Sequence, residues 1–160
     1  MRILSCILAL TVVWACCRAA EPQTVRPLLC TDGDTFIAAP DSVVYRLWGV
    51  DAPELDQPWG GVAKSALIAL IHKKQVKVVP RGASYNRPVV QVTTTNNRDV
   101  GLELLKMGLA WYCPEYAPDR DDYREAEAEA RKAKRGLWSD RNPVKPADHR
   151  KKRNLPEEDD

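Results

Sequence analysis

A chain of 160 residues has room for one domain and little besides. Its 24 lysines and arginines against 22 aspartates and glutamates leave a formal net charge of only +2. That near balance excludes a protein that gathers polyanions through a field over its whole surface, so phosphate binding has to come from a local cluster.

The first residues differ from the rest. After Arg2, the run from Ile3 to Ala15 is apolar apart from Ser5 and Thr11, and small residues follow it. This is the layout of a secretory signal peptide over residues 1–19, with Cys17 and Ala19 at positions −3 and −1. A buried N-terminal helix is the plainer alternative. The run is shorter than the roughly 20 apolar residues of a membrane span. No later segment could cross a bilayer, so no stable membrane span is expected. Val13-Trp14-Ala15-Cys16 loosely matches a bacterial lipoprotein box that would lipidate Cys16, though Trp14 fits it badly. The expectation is a secreted or periplasmic protein. Cleavage leaves two of the five cysteines, Cys30 and Cys113. In an oxidising compartment such a pair can form a disulfide or remain two unrelated thiols. Residues 20–140 then hold 16 basic and 17 acidic residues.

Val25–Cys30 and Thr35–Ala39 read as strands around a tight turn at Asp32-Gly33. After a second turn at residues 39–42, a third strand covers Val43–Trp48. Pro53 has no N–H for a ladder and stops further pairing. Apolar residues recur at helical spacing from Val62 to Lys73. Gln75–Val79 is a fourth strand, residues 80–84 a loop, and Pro88–Thr94 a fifth strand. Asp99 caps a short helix that runs to Met107. A last helix runs from near Asp119 to Arg135, acidic at its start and basic at its end, as the helix dipole favours. Residues 141–160 hold three prolines and no apolar period, the pattern of a disordered charged tail. Within it, Arg150-Lys151-Lys152-Arg153 could touch nucleic acid, but the acidic run 157–160 partly cancels it, and a solubilising role is preferred. The elements sum to an α+β, mainly β domain over residues 20–140: a five-stranded OB-fold barrel with three packed helices, a type that commonly binds oligonucleotides.

Five charged residues stand out: Asp34, Arg46, Asp51, Glu54 and Arg87. Carboxylates at the start of one strand and the end of another can share a hard cation such as Ca²⁺, which takes carboxylate, carbonyl and water oxygens. Glu54 beside a cation and two arginines stays ionised and can accept a proton from water. Arg46 is a charge within the apolar string VVYRLWGV and needs an acidic partner or a phosphate. Its odd spacing from Asp51 sets the two on opposite faces of a flat strand. Gly49 lies between them and permits a bulge that brings them together. His72 and His149 are read as inert.

The strings Asp32-Gly33-Asp34-Thr35, Tyr45-Arg46-Leu47-Trp48-Gly49-Val50-Asp51-Ala52-Pro53-Glu54, Tyr85-Asn86-Arg87, Gly108-Leu109-Ala110-Trp111 and Gly136-Leu137-Trp138 together resemble the staphylococcal-nuclease-like, or thermonuclease, family. The resemblance implies an OB-fold barrel with three helices and a Ca²⁺-dependent phosphodiesterase acting on DNA and RNA. It makes Asp34, Asp51 and the Ala52 carbonyl the metal ligands. It makes Glu54 the general base, or the residue that orients the water, and gives Arg46 and Arg87 the charged transition state. Family products carry a 3′-phosphate and a free 5′-hydroxyl. Where the family has glycine before the second arginine, this chain has Asn86, and Pro88 follows. Of two family tyrosines beside the substrate base, Tyr116 matches one and Pro114 replaces the other. Tyr85, Tyr112 and Tyr116 are the candidates for contact with single-stranded DNA or RNA, with Tyr112 equally plausible as core. The reading is a monomeric, exported, sugar-nonspecific endonuclease. A non-catalytic OB module that binds single-stranded nucleic acid or a protein partner is the alternative, and Glu54 argues against it, since a binding module has no need of a base.

Overall fold

A computed structural model describes residues 21–153. The leader expected at 1–19 and the residues from 154 onward lie outside them. In chain order the elements are β1 (Gln23–Cys30), β2 (Thr35–Ala39), β3 (Val43–Leu47), β4 (Val50–Asp51), α1 (Gly60–Ile71), β5 (Val76–Ser84), β6 (Arg87–Thr94), α2 (Val100–Lys106), β7 (Trp111–Tyr112), α3 (Asp121–Lys132), a 3-10 turn (Gly136–Ser139) and α4 (Pro146–Arg153).

Five strands close a barrel in the order β1-β2-β3-β6-β5, with β5 returning to β1. All neighbours are antiparallel except β3 and β6, which run parallel. β1 buries Val25 and Pro27, then shifts register between Pro27 and Leu29, so that Cys30 is the next residue to face inward. α1 packs Ala63, Leu67 and Ile71 into the core, one face of a helix at spacing four. Asp99 caps α2, accepting from the Leu102 N–H at 3.0 Å, as its sequence position foretells. The same carboxylate accepts from the Tyr123 hydroxyl at 2.7 Å and pairs with Arg120 at 3.1 Å, which ties α2 to α3.

The α+β barrel is as the sequence indicates; α1 starts and ends two residues earlier than expected, β4 and β7 add a small second sheet, and three further differences stand out. Residues 80–84 belong to β5, which turns through Tyr85-Asn86 directly into β6; the Pro80–Gly82 shift in register absorbs the proline. α3 is shorter at both ends than the span from Asp119 to Arg135. The third is the charged tail, whose described part, residues 141–153, adds a fourth helix. Pro146 opens α4, where a missing N–H costs nothing, and is buried. The Gln57 Nε2 donates to the Val144 carbonyl at 3.1 Å, and the Trp59 Nε1 to Asp140 at 3.1 Å. In place of an apolar face α4 makes polar contacts: His149 and Arg153 both reach Asp56, at 3.0 and 3.6 Å.

Candidate active site

The Asp32-Gly33-Asp34 turn is built to deliver one carboxylate. The Asp32 side chain accepts from the Asp34 N–H at 3.0 Å, the local bond that makes aspartate a turn residue. A Cβ on Gly33 would lie 2.7 Å from the Cβ atoms of both Ala52 and Ala63. Glycine therefore lets the turn press against the start of the next acidic segment. Asp34 is 3% exposed. Its Oδ1 accepts from the Thr35 hydroxyl at 3.0 Å and from Arg46 at 2.9 Å, and its Oδ2 accepts from the Ala52 N–H at 2.9 Å. Burial pushes the Asp34 carboxyl up, to about 7, while Arg46 and the Ala52 N–H pull it down. Every partner is a donor, so the geometry suits the ionised form.

β3 carries Arg46 opposite Thr35. The strand does not run on through a bulge. It breaks at Trp48-Gly49, where Gly49 takes φ 72, and resumes as β4 paired to β7. This turn brings Asp51 back to Arg46, whose second nitrogen donates to Asp51 Oδ1 at 2.5 Å. The sequence reading of Gly49 thus holds in its consequence and is corrected in its form. Burial alone would lower the Arg46 value, but Asp34 and Asp51 outweigh it and raise it. A Cβ at Gly49 would also stand 2.7 Å from that of Ala117. Gly49→Ala is expected to cost at least about 1–2 kcal/mol, the left-handed backbone penalty of an L-residue. Urea denaturation would measure it, and an unchanged midpoint would refute the role of the turn.

Glu54 lies in the turn before α1. Its N–H donates to the Gln57 side chain at 2.9 Å, and its carbonyl accepts from the Gln57 N–H at 2.9 Å. Arg46, Asp51, Glu54 and Arg87 line a cavity of about 660 Å³, with Tyr85 and Tyr116 at its rim. Arg87 starts β6, and among the described residues it has no ion pair. The positive φ of its turn falls on Tyr85, at 53°, and not on Asn86. Tyr85 and Tyr116 are 94% and 70% exposed, open for stacking. Tyr112 is not: it is buried, and its hydroxyl donates to the Ala117 carbonyl at 2.6 Å. Tyr112 is therefore a core residue. Trp48 fixes the rim, its Nε1 donating to the Tyr116 carbonyl at 2.9 Å.

Cys30 and Cys113 are free thiols, so the bridge held open in the sequence is not made. Cys30 ends β1 in the core beside Lys64, whereas Cys113 faces the site cavity near Asp51. Burial pushes Cys30 up to about 11, and burial with the nearby carboxylates of Asp51 and Glu115 pushes Cys113 up to about 12. Neither is a reactive thiolate at neutral pH.

The residue that sequence reasoning missed is Arg150 on α4. Its guanidinium donates to Glu54 Oε1 at 2.5 Å and to Asp51 Oδ2 at 3.0 Å. Among the described residues no three His, Cys, Asp or Glu side chains form a group that could hold a metal ion. Arg46 stands between Asp34 and Asp51, and Arg150 between Asp51 and Glu54.

The model of the family described as staphylococcal nuclease homologue matches residues 44–140. The chain belongs to the staphylococcal nuclease homologue family. An uncharacterized endonuclease of Haemophilus influenzae is 32% identical over 154 residues, which cover 94% of this chain and 85% of that protein. An uncharacterized endonuclease of Escherichia coli is 35% identical over 133 residues, 81% of this chain and 84% of the other. A probable staphylococcal-like nuclease of Oryza sativa is 39% identical over 106 residues; these are 66% of this chain but only 28% of the rice protein. As a family member, the chain brings Arg46 and the Asp51-Ala52-Pro53-Glu54 string within the matched span. Asp34 and Arg150 lie outside it.

Proposed function

We propose that this protein is an exported, monomeric endonuclease that hydrolyses phosphodiester bonds of DNA and RNA with little sequence specificity, assisted by Ca²⁺. The observation that carries the reading is convergence. Arg46, Asp51, Glu54 and Arg87, from separate turns and strands, line one open cavity, Asp34 is buried against Arg46, and Arg87 has no ion pair among the described residues. No helix among those residues is long and apolar enough to cross a membrane. The expectation of export rests on the signal-peptide pattern of residues 1–19.

The donor set suits a hard cation. Asp34, Asp51 and the Ala52 carbonyl offer only oxygen, which Ca²⁺ prefers. The cavity also holds a cationic stand-in already, the Arg150 guanidinium against Asp51 and Glu54. When bound, Ca²⁺ supplies positive charge beside the reacting phosphate. The protein's own groups do the rest. Arg46 spends two of its five N–H donors on Asp34 and Asp51, and the others are free for a phosphate oxygen. Arg87, on the strand next to that of Arg46, takes the same phosphate, and the two arginines stabilise the five-coordinate phosphorane. The Glu54 carboxylate accepts a proton from water as the water oxygen bonds to phosphorus. The bond to the 5′ oxygen breaks, and that oxygen leaves as a hydroxyl after taking a proton from solvent. The 3′ side keeps the phosphate. Tyr85 and Tyr116 offer stacking surfaces to single-stranded bases, each worth about 1–3 kcal/mol.

Incubation with single-stranded DNA and with RNA, in Ca²⁺ and then in excess EDTA, tests the reading. Cleavage of both polymers that EDTA abolishes is the expected result. Full cleavage in EDTA would remove the metal from the mechanism, and no cleavage in either condition would leave a binding module.

A further inference from the structure

We propose that α4 is a built-in plug, docked on the carboxylates of the site and displaced when the site loads. The inference rests on the nuclease reading and concerns the control of that same site. Arg150 occupies the two carboxylates that catalysis needs free. Its NH1 reaches Glu54 Oε1 at 2.5 Å and Asp51 Oδ1 at 3.3 Å, and its NH2 reaches Asp51 Oδ2 at 3.0 Å. One oxygen of the proton acceptor and both oxygens of a proposed metal ligand are thereby spent on a guanidinium. A cation approaching Asp51 meets a positive charge already there. Burial would lower the Arg150 value, but its bonds to Asp51 and Glu54 outweigh that and raise it, so the group cannot leave by losing a proton. It can only leave by moving.

The helix is built to move. α4 has eight residues, too few to be stable alone, and Pro146 is its only buried residue. Its remaining anchors are the contacts of His149 and Arg153 to Asp56, whose side chain is 53% exposed. Exposed pairs of that kind hold weakly and yield to salt. Charge sets the direction of release. Residues 141–153 carry six basic side chains and one acidic one, in a protein whose remaining residues hold 18 basic and 21 acidic ones. Lys151, Lys152 and Arg153 are exposed on the docked helix. Nucleic acid arriving at the cavity attracts this segment, while a divalent cation competes with it for Asp51. Both partners of the reaction therefore favour the undocked helix, which stays tethered through residues 140–145 and can then follow the polyanion.

Competition of this kind lowers the apparent affinity for the cation by the fraction of molecules in which the site is free. With about nine molecules in ten docked, removing Arg150 tightens binding about tenfold. The test is calorimetric titration of Ca²⁺ into metal-free wild type, Arg150→Ala and Lys152→Ala, with hydrogen exchange of residues 146–153 recorded with and without Ca²⁺. The expected result is Ca²⁺ affinity several-fold to tenfold tighter for Arg150→Ala and little changed for Lys152→Ala. In the wild type, Ca²⁺ removes the exchange protection of α4. Unchanged or weaker affinity in Arg150→Ala, or unchanged protection in the wild type, overturns the plug. So does an equal gain from Lys152→Ala, which would reduce the effect to net charge. If the wild type binds Ca²⁺ and the plug fails on these counts, the nuclease reading stands. If no protein binds Ca²⁺, the metal-dependent reading falls and the plug falls with it.

Discussion

Glu54→Gln is expected to slow phosphodiester cleavage about 10²–10⁴-fold, the usual worth of a positioned general base, with no loss of fold. The substitution removes the ability to accept a proton and little else. Glu54 is held in place through its backbone, by the N–H and carbonyl bonds to Gln57, and these do not involve the carboxylate. The side chain is 25% exposed, and among the described residues its only ion-pair partner is Arg150. A glutamine keeps the shape and one acceptor oxygen for that contact. The catalytic rate at saturating single-stranded DNA would fall while KM and the melting temperature stay near wild type. A wild-type rate in the mutant would remove Glu54 from the proton transfer. A fall in melting temperature of several degrees would make its role structural.

The parts of this site that were legible in the sequence are those whose geometry is local. Asp34 follows a turn that its neighbours Asp32 and Gly33 write directly. The meeting of Arg46 with Asp51 was readable because a glycine between two charges of odd spacing has few other uses. What it does there, a left-handed turn into a short second sheet and not a bulge, depended on β7 arriving from sixty residues away. Arg150 could not be read at all. It meets Asp51 across 99 positions, and the same residues that dock α4 look like a solvated basic run when taken alone. Its partner is an acidic turn, and complementarity between two distant charge clusters leaves no period in either. Tyr112 shows the opposite limit. An aromatic residue gives one sequence signal for core and for stacking platform, and only the buried hydroxyl bonded to Ala117 separates them.

Arg46→Ala is expected to destabilise the metal-free protein by about 3–5 kcal/mol, because it breaks a buried ion pair by taking away one side. The Arg46 side chain is 20% exposed, and the two carboxylates it bridges are 4% and 11% exposed. Without it, Asp34 keeps the Thr35 hydroxyl and the Ala52 N–H, but no cation faces it. Asp51 keeps Arg150. Two aspartates are left close together with one countercharge, which bonds only Asp51 of the two. Urea denaturation without divalent ions would show the loss. Ca²⁺ is expected to return part of it, since it neutralises the same carboxylates, and Na⁺ at equal ionic strength is not. Arg87→Ala supplies the contrast. Arg87 lines the same cavity but pairs with no carboxylate among the described residues, so its removal is expected to depress cleavage and leave the urea midpoint where it was. Equal stability losses in the two variants would refute the division of labour. An unchanged midpoint in Arg46→Ala would mean that Asp34 is protonated in the folded protein and never needed the charge. Arg46 therefore has to be assayed for catalysis under conditions where the variant is shown to be folded. The residue proposed to hold the phosphate is also the one that bridges Asp34 and Asp51.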